Sequence, residues 1–391
     1  MNIAELYSLS SGQKLDKIHT VEKYFPLTTD NYIVIQPWSK PSKNFDNWAE
    51  TISILLPYLQ KNNIQLVQVG AAGEPPLQNC IQTQGQTNWG QLQYIISKAK
   101  LVLTSDSISA HLAGHYDIPR VILISNNFKE CISPYFGTKS KEVILEPDRT
   151  NKNPSFMLDE GPNKQINEIL PENIASSVLK LLNIPFDYPF RTLSMGKLYP
   201  NKVIESAMDS VINLQALNIP SIVCRLDYNH NLAILIEQMR VGRVSILTDK
   251  PLPINILQQF KPSIQEVIYE ITESHNPLFC KELVDAKIPF RMYSRLSDDK
   301  LNSIKLDYLD FQPVITKVSE DLPDKVKNQD KDNLFLKGGK YILSKSGIYN
   351  SYWGFKNNKP IPNFDAGPIK FEGNIDDLKF DCDYLLFLTK H

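Results

Sequence analysis

The sequence is poor in the features that mark several large classes of protein. Its 391 residues include only five cysteines, which are scattered along the chain and form no Cys-x-x-Cys pair. This pattern argues against a zinc site and against a disulfide framework, and it favours a reducing compartment. We therefore expect no bound metal and a cytoplasmic location.

Long apolar runs and an excess of one charge are missing as well. The longest apolar runs are far shorter than the roughly 20 residues of a transmembrane helix, and the N-terminus has no basic segment followed by an apolar one. Lys and Arg number 42 against 43 Asp and Glu, a formal net charge of −1, whereas nucleic-acid-binding domains usually carry a basic excess. We expect no membrane span, no signal peptide and no nucleic-acid partner.

What the sequence does contain is a regular alternation of short apolar runs and helical segments. A mixed segment over residues 1–31 is interpreted as an N-terminal arm. Strands then alternate with helices across residues 32–185 and again across residues 186–316, with a breaker-rich linker near residues 183–189. Strands separated by helices of this length predict parallel sheets with right-handed crossovers. The predicted fold class is α/β, with two Rossmann-like parallel-sheet domains.

The C-terminal part of the chain changes in character. Residues 317–333 are rich in Lys, Asp and Glu, which is typical of a solvated linker. Residues 334–391 then show an alternation of apolar and polar residues, which is the pattern of strands. The sequence therefore predicts a charged linker followed by a small β-rich appendage.

The most informative stretch covers residues 105–111, which read SDSISAH. It follows an apolar run and leads into a helical segment, so it puts hydroxyls and a carboxylate at the end of a predicted parallel strand. Ligands bind at such strand ends, and the N–H groups of a helix start favour phosphate. In the alternative interpretation, Asp106 and Ser107 only cap the helix, and His111 is an ordinary, partly buried histidine.

Three further segments accompany this turn. Residues 36–45 (QPWSKPSKNF) form a polar loop after the first predicted strand of the domain, Gly70 ends the next strand with Glu74 close behind, and residues 88–92 (NWGQL) precede a helix. Each segment also has a plainer interpretation. Residues 36–45 can be a polar turn with solvated lysines, the two prolines after Glu74 can dictate the shape of that loop, and Trp89 can serve only in packing.

Taken in their order along the chain, the four segments resemble the nucleotide-sugar-binding half of the heptosyltransferase-like glycosyltransferases of family 9 type, which have the two-domain GT-B fold. The resemblance covers residues 32–182. It implies an enzyme that moves a sugar from a nucleotide-diphosphate sugar to a hydroxyl on a glycan, lipid or protein acceptor. It also implies that the reaction needs no metal and no cofactor besides that co-substrate.

The resemblance also implies roles for particular residues. Ser39 would hydrogen-bond a phosphate oxygen, Lys43 would neutralise charge that develops on the leaving diphosphate, and Glu74 would reach the ribose. The family's Asp-hydroxyl-Gly-x-x-His turn is matched here by its acid, its hydroxyl and its histidine, which are Asp106, Ser107 and His111.

The chain departs from that turn at one position, where Ile108 replaces the glycine. Glycine allows a close approach of the backbone to the diphosphate. A branched side chain at this position is therefore expected to shift the ligand or to weaken its binding.

The general base of the reaction is not evident from the sequence. In the family it comes from an acceptor domain that precedes the donor domain, whereas about 31 residues precede that domain here. Glu205 and Asp227, near the first predicted strand of the second domain, are candidates, although each is equally consistent with a cap or a surface residue. Two other functions stay open: a non-catalytic GT-B-like binding or structural module, and a nucleotide-sugar epimerase.

Overall fold

The computed structural model describes the chain except for residues 17–18, 151, 162, 312, 318–320, 365 and 391. It divides into two compact units, Met1–Pro189 (unit 1) and Phe190–His391 (unit 2). Within the described ranges, every helix is too short or too polar to cross a membrane.

Unit 1 is built on a parallel sheet of six strands in the order β3-β2-β1-β4-β5-β6. The strands are β1 (Tyr32–Gln36), β2 (Gln65–Gln68), β3 (Ile81–Gln82), β4 (Val102–Ser105), β5 (Arg120–Leu123) and β6 (Glu142–Leu145). The helices are α1 (Ile3–Ser11), α2 (Trp48–Lys61), α3 (Trp89–Ser97), α4 (Ile108–His115), α5 (Lys129–Ile132) and α6 (Pro171–Leu181). The predicted N-terminal arm contains α1, and residues 17–18 of that arm lie outside the described residues.

The burial of the central strands explains this arrangement. Every residue of β4 and β5 is buried, as expected for parallel strands that are covered on both faces. Ile33 of β1 packs in a core with α2 and α6, while Val34 packs on the other face with residues of α3 and α4. The parallel α/β architecture predicted from the alternation is confirmed. The strand order reverses between β1 and β4, so the switch point of the sheet lies there.

Unit 2 contains two sheets. The larger has the order β13-β12-β11-β10-β9-β8-β15-β16 and is parallel except for β16, and the smaller is antiparallel with the order β17-β14-β18-β7. The strands are β7 (Phe190–Met195), β8 (Val203–Ser206), β9 (Ile222–Arg225), β10 (Val244–Thr248), β11 (Ile264–Ile271), β12 (Phe290–Ser294), β13 (Thr316–Lys317), β14 (Leu334–Gly338), β15 (Lys340–Ser344), β16 (Gly347–Tyr349), β17 (Ile369–Lys370) and β18 (Leu385–Lys390). The helices are α7 (Leu232–Val241), α8 (Ile254–Gln259), α9 (Pro277–Asp285), α10 (Asp298–Ile304), α11 (Asp324–Lys327) and α12 (Tyr352–Lys356).

The C-terminal residues are part of unit 2 and do not form a separate appendage. β15 pairs in parallel with β8, and β18 pairs with β7, the first strand of the unit. A separate appendage was therefore the wrong prediction, because an alternating pattern identifies a strand but not the sheet that the strand joins. Residues 365 and 391 of this segment lie outside the described residues.

The charge-rich segment before these strands is not wholly solvated. Leu322 and Val326 are 2% and 0% exposed and pack in the core beside the antiparallel sheet. The prediction of a solvated linker is therefore wrong for this part of it, since two apolar side chains among many charges are enough to anchor α11. Residues 318–320 lie outside the described residues.

Candidate functional site

Two loops meet at the switch point of unit 1. The loop after β1 turns through a 3-10 helix, Pro41–Lys43, and the loop after β4 enters α4. The Ser39 hydroxyl donates to the carbonyl oxygen of Asp106 at 3.2 Å, and the Ser107 hydroxyl donates to the side-chain oxygen of Gln36 at 2.9 Å. The carboxyl ends of the two neighbouring strands therefore form one polar surface.

A salt bridge lies on this surface between the Lys43 ammonium and the Asp106 carboxylate. The two side chains are 24% and 11% exposed, so both are partly reachable from solvent. Because an ammonium is a compact cation with rotatable donors, Lys43 can turn from this carboxylate to an incoming phosphate. The structure thus brings together Lys43, which the resemblance assigned to the diphosphate, and Asp106, the acid of the family's turn.

Ser107 occupies the N-cap position of α4 in an extended conformation, but its hydroxyl makes no capping hydrogen bond. It contacts Gln36 and lies 2.7 Å from the Thr104 hydroxyl. The Asp106 carboxylate is engaged with Lys43. Neither side chain satisfies the first N–H groups of α4, so the plain capping interpretation is wrong, and these groups can face an anion.

His111 lies one helical turn after Ser107 and is half-buried. Burial lowers the pKa of its imidazole, Lys43 lowers it further, and Asp106 opposes both effects. The imidazole is therefore neutral near pH 7 in the free protein. A neutral imidazole can donate one hydrogen bond to a phosphate oxygen and accept another.

The low pKa of His111 predicts a pH dependence of stability. Because folding favours the neutral form, the His111 contribution is complete above the unfolded pKa near 6.5 and is lost as the pH falls toward the lower folded pKa. We expect an apparent pKa below 6.5 in an NMR titration. We also expect His111→Gln to lose less unfolding free energy than the unchanged protein between pH 7 and pH 5. The matched control is His230→Gln, at an exposed histidine, and a His111 resonance that titrates above 6.5 would contradict the assignment.

Glu74 lies in the loop after β2, at the same edge of the sheet. Its Oε2 is buried and has no hydrogen-bond partner among the described residues, and burial raises the pKa of the carboxyl group. The group packs so closely over Gly70 that a methyl group at that position would clash with it. Trp38 Nε1 donates to the Pro75 carbonyl at 2.9 Å, which ties this loop to the one after β1. The ribose contact of Glu74 stays a prediction.

Trp89, in the fourth candidate segment, opens α3 behind a capping box formed by Asn88 and Gln91. Its side chain is 55% exposed, so packing does not account for it. A contact of Trp89 with a ligand stays a prediction.

The two candidate general bases belong to unit 2, where both contact Arg225. The Arg225 guanidinium donates to the two oxygens of Glu205 at 2.8 and 2.7 Å, and to the two oxygens of Asp227 at 2.8 and 2.7 Å. Glu205 is only 5% exposed. Since a general base must reach the proton that it takes, this geometry speaks against that role for both carboxylates. Neither is a cap or a surface residue, because both are held in a largely buried ion-pair network by Arg225.

Sequence reasoning missed one residue of the site, Gln36, whose amide oxygen fixes the Ser107 hydroxyl. The available signal is a single polar residue at the end of an otherwise apolar strand, YIVIQ. Packing in the apolar core does not explain a polar residue at the carboxyl end of a central parallel strand, so its position indicates a role at the ligand-binding edge of the sheet.

No protein-family model and no curated protein sequence matches this chain. Solved structures do match it over part of its length. The glycosyl transferase of family 9 from Veillonella parvula DSM 2008 is 18% identical with a TM-score of 0.32, and the match covers 46% of this chain and 50% of that chain. The ADP-heptose lps heptosyltransferase II of E. coli is 18% identical with a TM-score of 0.32, and the match covers 39% of this chain and 46% of that chain. The UDP-GlcNAc 2-epimerase of Methanocaldococcus jannaschii is 10% identical with a TM-score of 0.20, and the match covers 74% of this chain and 88% of that chain.

The chain thus spans about half the length of the two glycosyltransferases that it matches. These are the class of protein named by the sequence resemblance.

Proposed function

We propose that the chain is a glycosyltransferase and that unit 1 binds the diphosphate of a nucleotide sugar. The carrying observation is the Lys43–Asp106 pair, which lies at the switch point of the sheet and at the start of α4. A cation, two hydroxyls and the positive end of a helix dipole converge there, and this combination favours a phosphorylated ligand. The hydroxyls are those of Ser39 and Ser107.

The same groups suit the chemistry of glycosyl transfer. When the bond between the sugar and the diphosphate breaks, negative charge develops on the leaving phosphate oxygens. Lys43 would stabilise this charge after leaving Asp106, and the N–H groups of α4 would add a fixed dipole. We infer that this arrangement replaces a metal ion and that no other cofactor is needed.

The acceptor is a hydroxyl group of a glycan, lipid or protein. A cytoplasmic location fits the five free cysteines, because a reducing compartment preserves thiols.

A thermal-shift screen of the full chain tests the donor site. The probes are UDP, GDP, ADP, CDP and TDP, each with and without an attached sugar. A ligand that binds only the folded state stabilises it by about 2.7 kcal/mol at a concentration of 100 times its Kd. We expect one nucleotide to raise the midpoint, and we expect His111→Ala to abolish this shift. A midpoint that no nucleotide moves would favour the non-catalytic module instead.

The Ile108→Gly variant tests the departure from the family turn. Ile108 is the first residue of α4 and is 44% exposed, so it stands at the helix start, where the proposal places the phosphate. Removing it lets the backbone approach the diphosphate, and we expect a Kd about fivefold lower, or about 1 kcal/mol of binding free energy, by calorimetry. Ile108→Ala is the matched control for added backbone flexibility. An unchanged Kd would remove Ile108 from the site.

A further inference from the structure

Unit 2 contains a cavity of about 300 Å³ at the carboxyl ends of two adjacent parallel strands, β11 and β12. It is lined by residues 270–274 from the end of β11, together with Arg295 and Leu296 after β12. The volume is at the lower end of the range for small-molecule sites, which suits a molecule of about one sugar ring. Strand ends of this kind are where α/β sheets hold ligands.

An ordered polar group forms one wall of the cavity. The Glu270 carboxylate accepts a hydrogen bond from Arg295 at 2.8 Å on Oε1 and from the Tyr293 hydroxyl at 2.7 Å on Oε2. Glu270 is 8% exposed, and Tyr293 is equally buried. A carboxylate offers about four acceptor positions, so these two bonds fix its orientation and leave capacity for two further donors.

The charge around the cavity selects against ions. Arg295 pairs with Glu270 and Lys300 pairs with Glu273, so both carboxylates of the cavity lining already hold a cation. A phosphate or a carboxylate would have to compete with these carboxylates for the same cations. The site therefore favours a neutral ligand that presents hydroxyl groups to a fixed carboxylate.

The remaining lining combines carbon surface with hydroxyl groups. Leu296 is partly exposed and offers carbon surface, and Thr272 and Ser274 offer hydroxyls that both donate and accept. A pyranose has the matching surfaces, since its ring carries C–H groups on its faces and hydroxyls around its edge. We propose that this cavity binds a neutral saccharide, as a site separate from the nucleotide site and independent of the function proposed for unit 1.

Saturation-transfer NMR of the full chain tests this inference. The probes are the methyl glycosides of glucose, galactose, mannose and N-acetylglucosamine. We expect at least one to receive saturation, and we expect Glu270→Gln to raise its Kd about tenfold or more, because a charged acceptor is lost. Leu296→Trp fills the cavity and should abolish the signal without changing a charge, so it decides the matter if Glu270→Gln does not fold.

Two control variants test whether the saturation signal arises at this cavity. Glu266→Gln changes a carboxylate on the same strand that pairs with Arg291 outside the cavity, and it should leave the signal unchanged. Lys43→Ala should also leave it unchanged, whereas a signal lost only in Lys43→Ala would move the sugar to unit 1 and overturn the inference. So would the absence of transfer to all four glycosides, or transfer that persists in Leu296→Trp. The nucleotide screen is read separately, so either proposal can fail alone.

Discussion

Replacing Lys43 by alanine is expected to raise the Kd for the nucleoside diphosphate about 100-fold, since hydrogen bonds to charged groups contribute about 1.5–3 kcal/mol. In the free protein the ammonium is held by Asp106, and in the complex it would face the phosphates. Its removal also leaves the Asp106 carboxylate uncompensated, which repels the ligand further. We expect turnover to fall with affinity, because the same cation would stabilise the leaving group.

The stability of the protein should respond much less to this change. The pair is partly exposed, so Lys43→Ala should lower the unfolding free energy by no more than about 1 kcal/mol. Lys40→Ala is the matched control, because Lys40 is an exposed lysine three residues earlier in the same loop. Calorimetric affinity and denaturant unfolding are measured on all three proteins. Equal losses of binding and stability in Lys43→Ala would show that the residue is structural.

Replacing Arg225 by methionine is expected to have the largest effect on stability, a loss of about 3–5 kcal/mol of unfolding free energy. The guanidinium is 3% exposed, is bound by Glu205 and Asp227, and lies 3.8 Å from the centre of the Tyr228 ring. Methionine keeps much of the volume but leaves two carboxylates without their cation in a site that water barely reaches. Removing one partner of a buried ion pair leaves the other charge uncompensated. It therefore lowers the unfolding free energy far more than replacing both partners by apolar residues would.

Hydrogen exchange monitored by mass spectrometry measures this loss locally. Peptides from β8 and β9 should exchange much faster in Arg225→Met, because these strands carry the two ends of the network. Arg240→Ala is the control, since Arg240 forms an exposed pair with Glu237 that is worth under about 1 kcal/mol. Unchanged protection of β8 and β9 would mean that the two carboxylates find other partners or become protonated.

The sequence predicts unit 1 better than unit 2 for a physical reason. In unit 1, neighbours in the sheet follow from short crossovers between buried runs, such as β4 and β5. In unit 2, β15 pairs with β8 although more than a hundred residues separate them, and no local pattern specifies that partner. The alternation of Lys340–Ser344 identified a strand but could not identify its neighbours.

The same limit explains what was found and missed in the candidate site. Asp106 and Ser107 stand at a strand end, which a local pattern reveals. The contact of Glu205 with Arg225 depends on the pairing of β8 with β9, whereas Asp227 reaches the same guanidinium from two residues further along the chain. A local sequence pattern therefore does not distinguish a strand-end carboxylate that binds a substrate from one that pairs with a buried arginine.

The thiols whose pKa is raised give each unit its own chemical reporter. Burial raises the pKa of Cys80, in unit 1, and of Cys224 and Cys280, in unit 2, to about 12. Because the thiolate is the form that alkylates, these positions should resist iodoacetamide while the fold is intact and gain mass when their unit opens. Alkylation during unfolding can therefore be followed separately in the two units. The cysteine peptide that gains the tag first identifies the unit that unfolds first.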